Sequence, residues 1–361
     1  MRCKRYYLIL LGLLIPICVL GQEYASKSDP AKPADLVNLP AEPISLRDSL
    51  ILKSVYFQHH QEFDSTLETA SKLITIFPHD PSGYFLTADA YQSFMREYRV
   101  AVYEQQFEQF IDTTLVIAKK AVVDTPDADM FFIYGAAEGY RALHLFRKGN
   151  WLKAIGASRS SQKYLKAALE LNPDFVDPIF GFALFDYAKM KIRIFGVGLF
   201  GDKTSDIIVR LKKVMRESRF LRANAMYTLQ TIYYETGELD SAAVYNDRIC
   251  SNFPNSLVAL YFRALILEKY DRLNEAKICW ETIITKIESF RQPSNNYLAE
   301  CHYHLSQIYS EMGDKKPAWQ ELRKAAHFIH RYKKDEELDG SLYTYKEIKK
   351  AIGEAFKKWE W

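Results

Sequence analysis

Four side chains of the kinds that bind zinc lie near the end of the sequence. Cys301 and His304 are three residues apart, and His327 and His330 repeat that spacing. Thiolate and imidazole groups are common zinc ligands, and a structural site uses four of them. Two antiparallel helices would bring both pairs to the same end of a hairpin. A buried cysteine and surface histidines explain the same residues, so we predict no bound metal and no cofactor, and keep these four as the candidate ligands.

A glycine-rich stretch, residues 196–201, spells GxGxxG, a pattern found in nucleotide-binding loops. Such loops bind phosphate because they follow a strand and open a helix, whose backbone N–H groups and dipole face the anion. The preceding residues, 183–195, have helical rather than strand spacing. We therefore interpret the glycines as part of a long connection between helices. The chain also has neither an HExxH nor a CxxC motif, and the sequence predicts no catalytic residues and a protein that is not an enzyme.

The first 21 residues have the composition of an export signal. Arg2, Lys4 and Arg5 form a basic start, residues 6–20 are almost wholly apolar, and a small residue, Gly21, follows them. The apolar run is shorter than the roughly 20 residues that a helix needs to span a bilayer, which favours a cleaved signal over an uncleaved anchor. The sequence thus predicts an exported protein, periplasmic or associated with the outer membrane.

Cleavage is expected between Gly21 and Gln22, because a small residue closes the apolar run at that point. N-terminal sequencing of the protein purified from the cell envelope should therefore begin at Gln22. Recovery of a chain that still begins with Met1 would contradict this prediction.

Net charge and cysteine count argue against two classes of protein. The predicted signal carries three of the 48 Lys and Arg residues and none of the 45 acidic ones, so the two signs balance after cleavage. Proteins that bind nucleic acids need clustered positive charge, so no nucleic acid is predicted as a partner. Cys250, Cys279 and Cys301 remain, an odd number at wide spacing, so no disulfide framework is expected.

Residues 223–256 have the pattern of one complete helical hairpin. Tyr233 lies on the apolar face of the first helix, Gly237 ends that helix, and Ala242 is small enough for the second helix to pack closely. Pro254 cannot continue the second helix. This order and spacing resembles the tetratricopeptide repeat, a 34-residue helix-turn-helix unit.

The same pattern recurs along the chain with a stretched period. Leu305, Tyr309, Gly313 and Ala318 repeat its spacing within residues 297–330, and the other units match it more loosely. The resemblance implies an all-α fold, a right-handed solenoid of about seven helical hairpins. The departures from the repeat also leave a HEAT-type solenoid open as the alternative.

The domain organisation follows from composition and from this resemblance. Residues 22–45 hold four prolines among small and polar residues, which predicts an extended linker. The resemblance places the solenoid at residues 46–331. Residues 332–361 are predicted to be a C-terminal helix that caps the last repeat, because residues 341–359 carry one apolar stripe and one basic face, with a membrane-surface helix as the alternative.

The resemblance also implies a binding surface. The fifth position of the first helix of each unit lines the concave groove of tetratricopeptide solenoids. Four aromatic residues occupy this position here, and we call them the inner aromatic column: Phe85, Tyr227, Tyr261 and Tyr303. Rings in an open groove can hold a peptide or stack on sugars. The expected function is therefore a non-enzymatic scaffold that binds a protein or peptide through its concave face, with glycan binding as the alternative. In an open groove, removal of the Tyr227 ring should hardly affect stability.

Overall fold

The computed structural model describes residues 45–194 and 203–358, without the side chains of residues 191–194. The predicted export signal, nearly all of the predicted linker and the glycine stretch at 196–201 lie outside these residues. The described residues form fifteen α-helices. They are α1 Leu46–His59, α2 Phe63–Ile76, α3 Ser82–Tyr98, α4 Glu104–Asp124, α5 Ala128–Arg147, α6 Trp151–Leu171, α7 Asp177–Ile194, α8 Thr204–Glu217, α9 Arg222–Thr236, α10 Leu239–Asn252, α11 Leu257–Lys269, α12 Leu273–Glu288, α13 Asn295–Glu311, α14 Lys315–His330 and α15 Tyr345–Lys358.

Helices α1 to α14 pair in chain order as seven helical hairpins, and neighbouring hairpins pack against each other. This arrangement confirms the predicted all-α solenoid of tetratricopeptide-like units. Among the described helices, none is both long and apolar enough to cross a lipid bilayer.

The fifth hairpin, α9 and α10, has the packing that the repeat pattern predicts. Gly237 ends α9 with a φ of 80°, a left-handed conformation that costs glycine little. Tyr233 is buried, and its ring stacks on Tyr245 of α10 with 5.6 Å between the centroids. Ala242 has no exposed surface, so the two helices approach closely at this position. Local spacing in the sequence therefore determines the hairpin.

The C-terminal part differs from the predicted single capping helix at 332–361. Residues 331–344 are a non-helical connection with a turn at residues 334–336, which we call the strap, and only α15 that follows it is helical. The strap pairs with the turn between α3 and α4 through an isolated antiparallel bridge of Val100 with Glu337. In this bridge region the Leu338 N–H donates to the Arg99 carbonyl oxygen at 2.9 Å. The Ala101 N–H likewise donates to the Glu336 carbonyl oxygen at 2.8 Å. These bonds hold the strap against the second hairpin, and α15 packs on α14 and α13.

The inner side of the solenoid is filled by its own first two hairpins. The His59 ring at the end of α1 lies 5.1 Å from the Phe253 ring, which follows α10. Helix α3 contacts α11, and Arg99 at its end forms an ion pair with Glu300 of α13. In an open solenoid each unit touches only its neighbours. Here the second hairpin also contacts the sixth and the seventh.

Candidate partner-binding surfaces

The inner aromatic column is not an open surface. The Tyr261 side chain is only 2% exposed, and its hydroxyl donates to Glu300 Oε1 at 2.6 Å. Its ring meets the Trp280 ring edge-on at 5.5 Å. A partner cannot reach this ring while Arg99 of the second hairpin covers it, so its expected position in an open groove was wrong.

The other three rings of the column are partly buried against different neighbours. Tyr227 lies 6.2 Å from the His59 ring and 6.3 Å from the Phe253 ring, and burial raises its pKa. Phe85 packs edge-on against Tyr140 at 5.3 Å, and Tyr303 packs beside the core of α14 and α15. The four side chains thus contribute to several cores instead of forming one surface for a peptide. Stacking on a sugar would need exposed ring faces, so this arrangement does not favour the glycan alternative.

Tyr227→Ala is expected to lower the free energy of unfolding by about 2 to 3 kcal/mol, close to the roughly 3 kcal/mol expected for Tyr233→Ala. Both changes leave a cavity between packed helices. Urea denaturation followed by circular dichroism measures both values, with the exposed Tyr56 as a control whose alanine variant should lose less than about 1 kcal/mol. A Tyr227→Ala variant as stable as the wild type would instead support the open groove that we expected from the sequence.

A buried carboxylate joins the second hairpin to the sixth. Glu97 of α3 is buried, and its Oε2 accepts hydrogen bonds from the backbone N–H groups of Leu257 at 2.8 Å and Val258 at 3.1 Å. These residues begin α11, where N–H groups lack partners within the helix and the helix dipole favours negative charge. Glu97 therefore caps a helix from a different hairpin.

Stability should depend on pH through Glu97. Burial raises its pKa, although Arg96 and the N–H groups of α11 favour the charged form. A carboxyl group whose pKa is higher in the folded state costs stability progressively as the pH rises between the unfolded and folded values. Glutamine keeps one acceptor oxygen and does not titrate. The stability of Glu97→Gln relative to wild type should therefore increase as the pH rises above the ordinary value of 4.5.

Urea melts of both proteins at about pH 4 and about pH 7 measure this difference. A relative stability of Glu97→Gln that stays constant or falls between the two pH values would contradict the prediction.

Arg99 joins the second hairpin to the sixth and the seventh. Its Nη1 lies 2.5 Å from Glu300 Oε2, and its guanidinium carbon lies 3.7 Å from the centroid of the Tyr297 ring and 4.8 Å from that of Tyr261. Burial is the largest single effect and lowers the pKa of the Arg99 guanidinium, but the Glu300 carboxylate and the two tyrosines together outweigh it and raise that pKa. Arg99 is thus a buried cation paired with one carboxylate and stacked on two aromatic rings.

The four candidate zinc ligands do not come together in the structure. Cys301 is fully buried, while His327 and His330 are exposed on α14. His304 is buried, its Nδ1 lies 3.0 Å from Glu268 Oε1, and its ring stacks on Trp280. Within residues 45–194 and 203–358, no three His, Cys, Asp or Glu side chains are grouped so that they could hold a metal ion. The shared end of the hairpin does not bring the four side chains together, because they point in different directions.

An exposed apolar surface that was not predicted from the sequence lies at the turn between α5 and α6. Three aliphatic side chains are largely exposed there: Leu143 by 54%, Leu152 by 87% and Ile155 by 42%. The rings of Phe146 and Trp151 meet edge-on beside them at 5.6 Å. We call these five residues the tip patch. The sequence contains one indication of this patch: positions 152 and 155 are apolar, although they do not belong to the buried face of α6.

The sequence around the tip patch is strongly basic. Residues 141–169 contain seven Lys and Arg residues and no Asp or Glu. Lys153, Arg159 and Lys163 are exposed on α6, the helix that carries two of the aliphatic side chains. Arg141, Arg147 and Lys148 form ion pairs with acidic side chains of α4 and α5. The exposed lysine and arginine side chains of α6 therefore account for the positive charge on this hairpin.

Comparisons with known proteins found similar solved structures but no related sequence. No protein-family model matches the chain, and no curated protein sequence matches it. Among solved structures, Cut9 in its complex with Hcn1 is similar over 79% of this chain and 54% of its own, with 14% identity and a TM-score of 0.42. The chain thus spans about half the length of that protein. The helical hairpins described above, and not these similarities, define the fold.

Two further structures are similar at the same level. One is the C-terminal part of a tetratricopeptide repeat-containing protein from Cytophaga hutchinsonii, with 17% identity, a TM-score of 0.40, and coverage of 79% of this chain and 97% of the other. The other is yeast Tom70, with 10% identity, a TM-score of 0.43, and coverage of 85% and 74%.

Proposed function

We propose that this solenoid of tetratricopeptide-like hairpins is an exported, non-enzymatic scaffold of the cell envelope that binds a protein partner through the tip patch. The observation that carries the proposal is the 87% exposure of Leu152, together with two further exposed aliphatic side chains on the same hairpin. Clustered apolar side chains with a polar rim are typical of interaction sites, whereas single ones need no explanation.

The charge around the tip patch defines the chemistry of the partner. Lys153, Arg159 and Lys163 are exposed on the helix that carries Leu152 and Ile155, so a segment that combines acidic with apolar residues would match both kinds of side chain. Buried acidic groups elsewhere are accounted for by structural roles. Asp177, for example, accepts hydrogen bonds from the backbone N–H groups of Arg219 and Phe220 and so fixes the turn before α9. This pattern supports a scaffold in preference to an enzyme.

A photo-crosslinking amino acid at position 155 of the tagged, mature protein tests the proposal in envelope extract. Mass spectrometry should identify crosslinked peptides rich in Asp, Glu and apolar residues, with a yield that falls as salt is raised. Leu152→Glu should abolish the crosslink, because it removes apolar surface and repels an acidic partner. Val116→Glu is the matched control, since Val116 is 71% exposed on α4 and lies outside the tip patch.

Anionic phosphatidylglycerol vesicles distinguish a membrane from a protein. Co-flotation of the mature protein with these vesicles, lost in Leu152→Glu and kept in Val116→Glu, would overturn the protein-partner proposal in favour of a lipid surface. Equal crosslinking by wild type and Leu152→Glu would overturn any role of the tip patch.

A further inference from the structure

We propose that the inner face of α11 and α13 is a binding site for a guanidinium group, which Arg99 of the second hairpin occupies as an internal ligand. The site consists of Tyr261, Tyr297, Glu300 and Gly340, and we call it the guanidinium site. All four residues belong to the sixth and seventh hairpins or to the strap. The second hairpin contributes only the ligand.

The chemistry of the site matches a planar cation. The rings of Tyr261 and Tyr297 meet at 70° and form a corner, in which the guanidinium lies 3.7 Å from the second ring. Glu300 is fully buried and supplies the counter-charge. A guanidinium stacks on aromatic rings and donates hydrogen bonds in its own plane, whereas an ammonium is a compact and more strongly hydrated charge.

The partners hold Glu300 in place without Arg99. The Tyr261 hydroxyl donates to Oε1 of Glu300, which leaves Oε2 for the guanidinium. The Tyr261 ring is itself fixed against Trp280, and the Tyr297 N–H donates to Ser294 Oγ at the start of α13. These contacts lie within the sixth and seventh hairpins, so the site should persist when the Arg99 side chain is removed.

The strap covers the guanidinium and leaves no room for a side chain at position 340. A Cβ atom added to Gly340 would lie 2.5 Å from Arg99 Nη1 and 2.7 Å from its Cζ, far inside van der Waals contact. The backbone of the second hairpin is also adapted to deliver the ligand. Arg99 has a φ of 52°, an uncommon left-handed conformation that ends α3 and directs the chain away from the helix axis.

Restoration of the site by a small molecule tests the proposal. Arg99→Gly removes only the side chain, because glycine accepts the positive φ. Ethylguanidinium at about 10 mM should raise the melting temperature of Arg99→Gly by about 2 °C and leave the wild type unchanged. Ethylammonium is the matched probe, equal in charge and similar in size, and should have no such effect. Equal effects of the two cations, or no effect of either, would overturn the proposal.

If Arg99→Gly does not fold unaided, its refolding from urea becomes the measurement. Ethylguanidinium should restore the far-ultraviolet circular dichroism of the native protein, and ethylammonium should not. Failure of both cations would again overturn the proposal. The tip patch takes no part in this experiment, so its outcome is independent of the partner proposed above.

A double-mutant cycle with Gly340→Ala gives a second test. The added methyl group should destabilise the wild type because it clashes with the Arg99 guanidinium, and should be tolerated once that side chain is absent. The midpoint of urea denaturation should therefore fall for Gly340→Ala alone and change little when the substitution is added to Arg99→Gly. An equal fall in both backgrounds would show that the strap does not cover the guanidinium.

Discussion

Glu300→Ala is expected to lower the free energy of unfolding by about 3 to 5 kcal/mol. The carboxylate is the counter-charge of Arg99, and neither side chain has appreciable contact with water. Without Glu300 the guanidinium would remain buried and unpaired, and the Tyr261 hydroxyl would lose its acceptor. Urea denaturation followed by circular dichroism at equilibrium measures the change.

Glu311→Ala is the control for this prediction, since Glu311 is exposed near the end of the same helix. Its effect should stay within about 0.5 kcal/mol of wild type. The double variant Arg99→Leu with Glu300→Leu replaces the ion pair by apolar groups and should recover much of the loss, because no unpaired charge remains. A loss below about 1 kcal/mol for Glu300→Ala would show that the pair is not buried in solution.

Trp280→Ala should cost a similar amount, about 3 to 5 kcal/mol. Trp280 is among the largest fully buried side chains, and its Nε1–H donates to Glu268 Oε1 at 2.5 Å. Its ring also stacks on His304 at 4.4 Å and supports Tyr261. The substitution therefore leaves a cavity in the core of the sixth and seventh hairpins and removes a hydrogen-bond donor from Glu268.

Trp319→Ala is the matched control for Trp280→Ala. Trp319 is partly buried and packs on Phe356 at the outer cap, so its removal should cost clearly less. Circular dichroism at 222 nm is the appropriate signal in both cases, because each variant alters tryptophan fluorescence directly. Equal losses for the two variants would contradict the central position of Trp280.

The hairpins could be predicted from the sequence because the interactions that form them are local. Tyr233, Gly237 and Ala242 lie within ten residues of one another, and their spacing alone specifies helix, turn and close packing. The exposure of the inner aromatic column could not be predicted in this way. It depends on contacts such as that of Arg99 with Glu300, which are 201 positions apart and leave no periodic signal.

The conformation of the strap, near the C-terminal end, could not be predicted from local sequence either. Residues 333–338 are rich in Lys, Asp and Glu, and their composition does not indicate that they pair with another part of the chain. Their conformation is set by the distant turn between α3 and α4, where Val100 pairs with Glu337. The tip patch was missed for a different reason, since exposed apolar residues on a helix can be recognised only when the buried face is known.

The closure of the solenoid affects the order in which this chain can fold during synthesis. Each hairpin is a local unit and can form soon after its residues emerge, but Glu97 and Arg99 then wait for partners about 160 to 200 residues downstream. Until α11, α13 and the strap have been made, the inner faces of the first two hairpins stay uncovered, with a carboxylate and a guanidinium that have no partners. Completion of the native state should therefore be a late and slow step, and a nascent chain that stops before the seventh hairpin should be prone to aggregation.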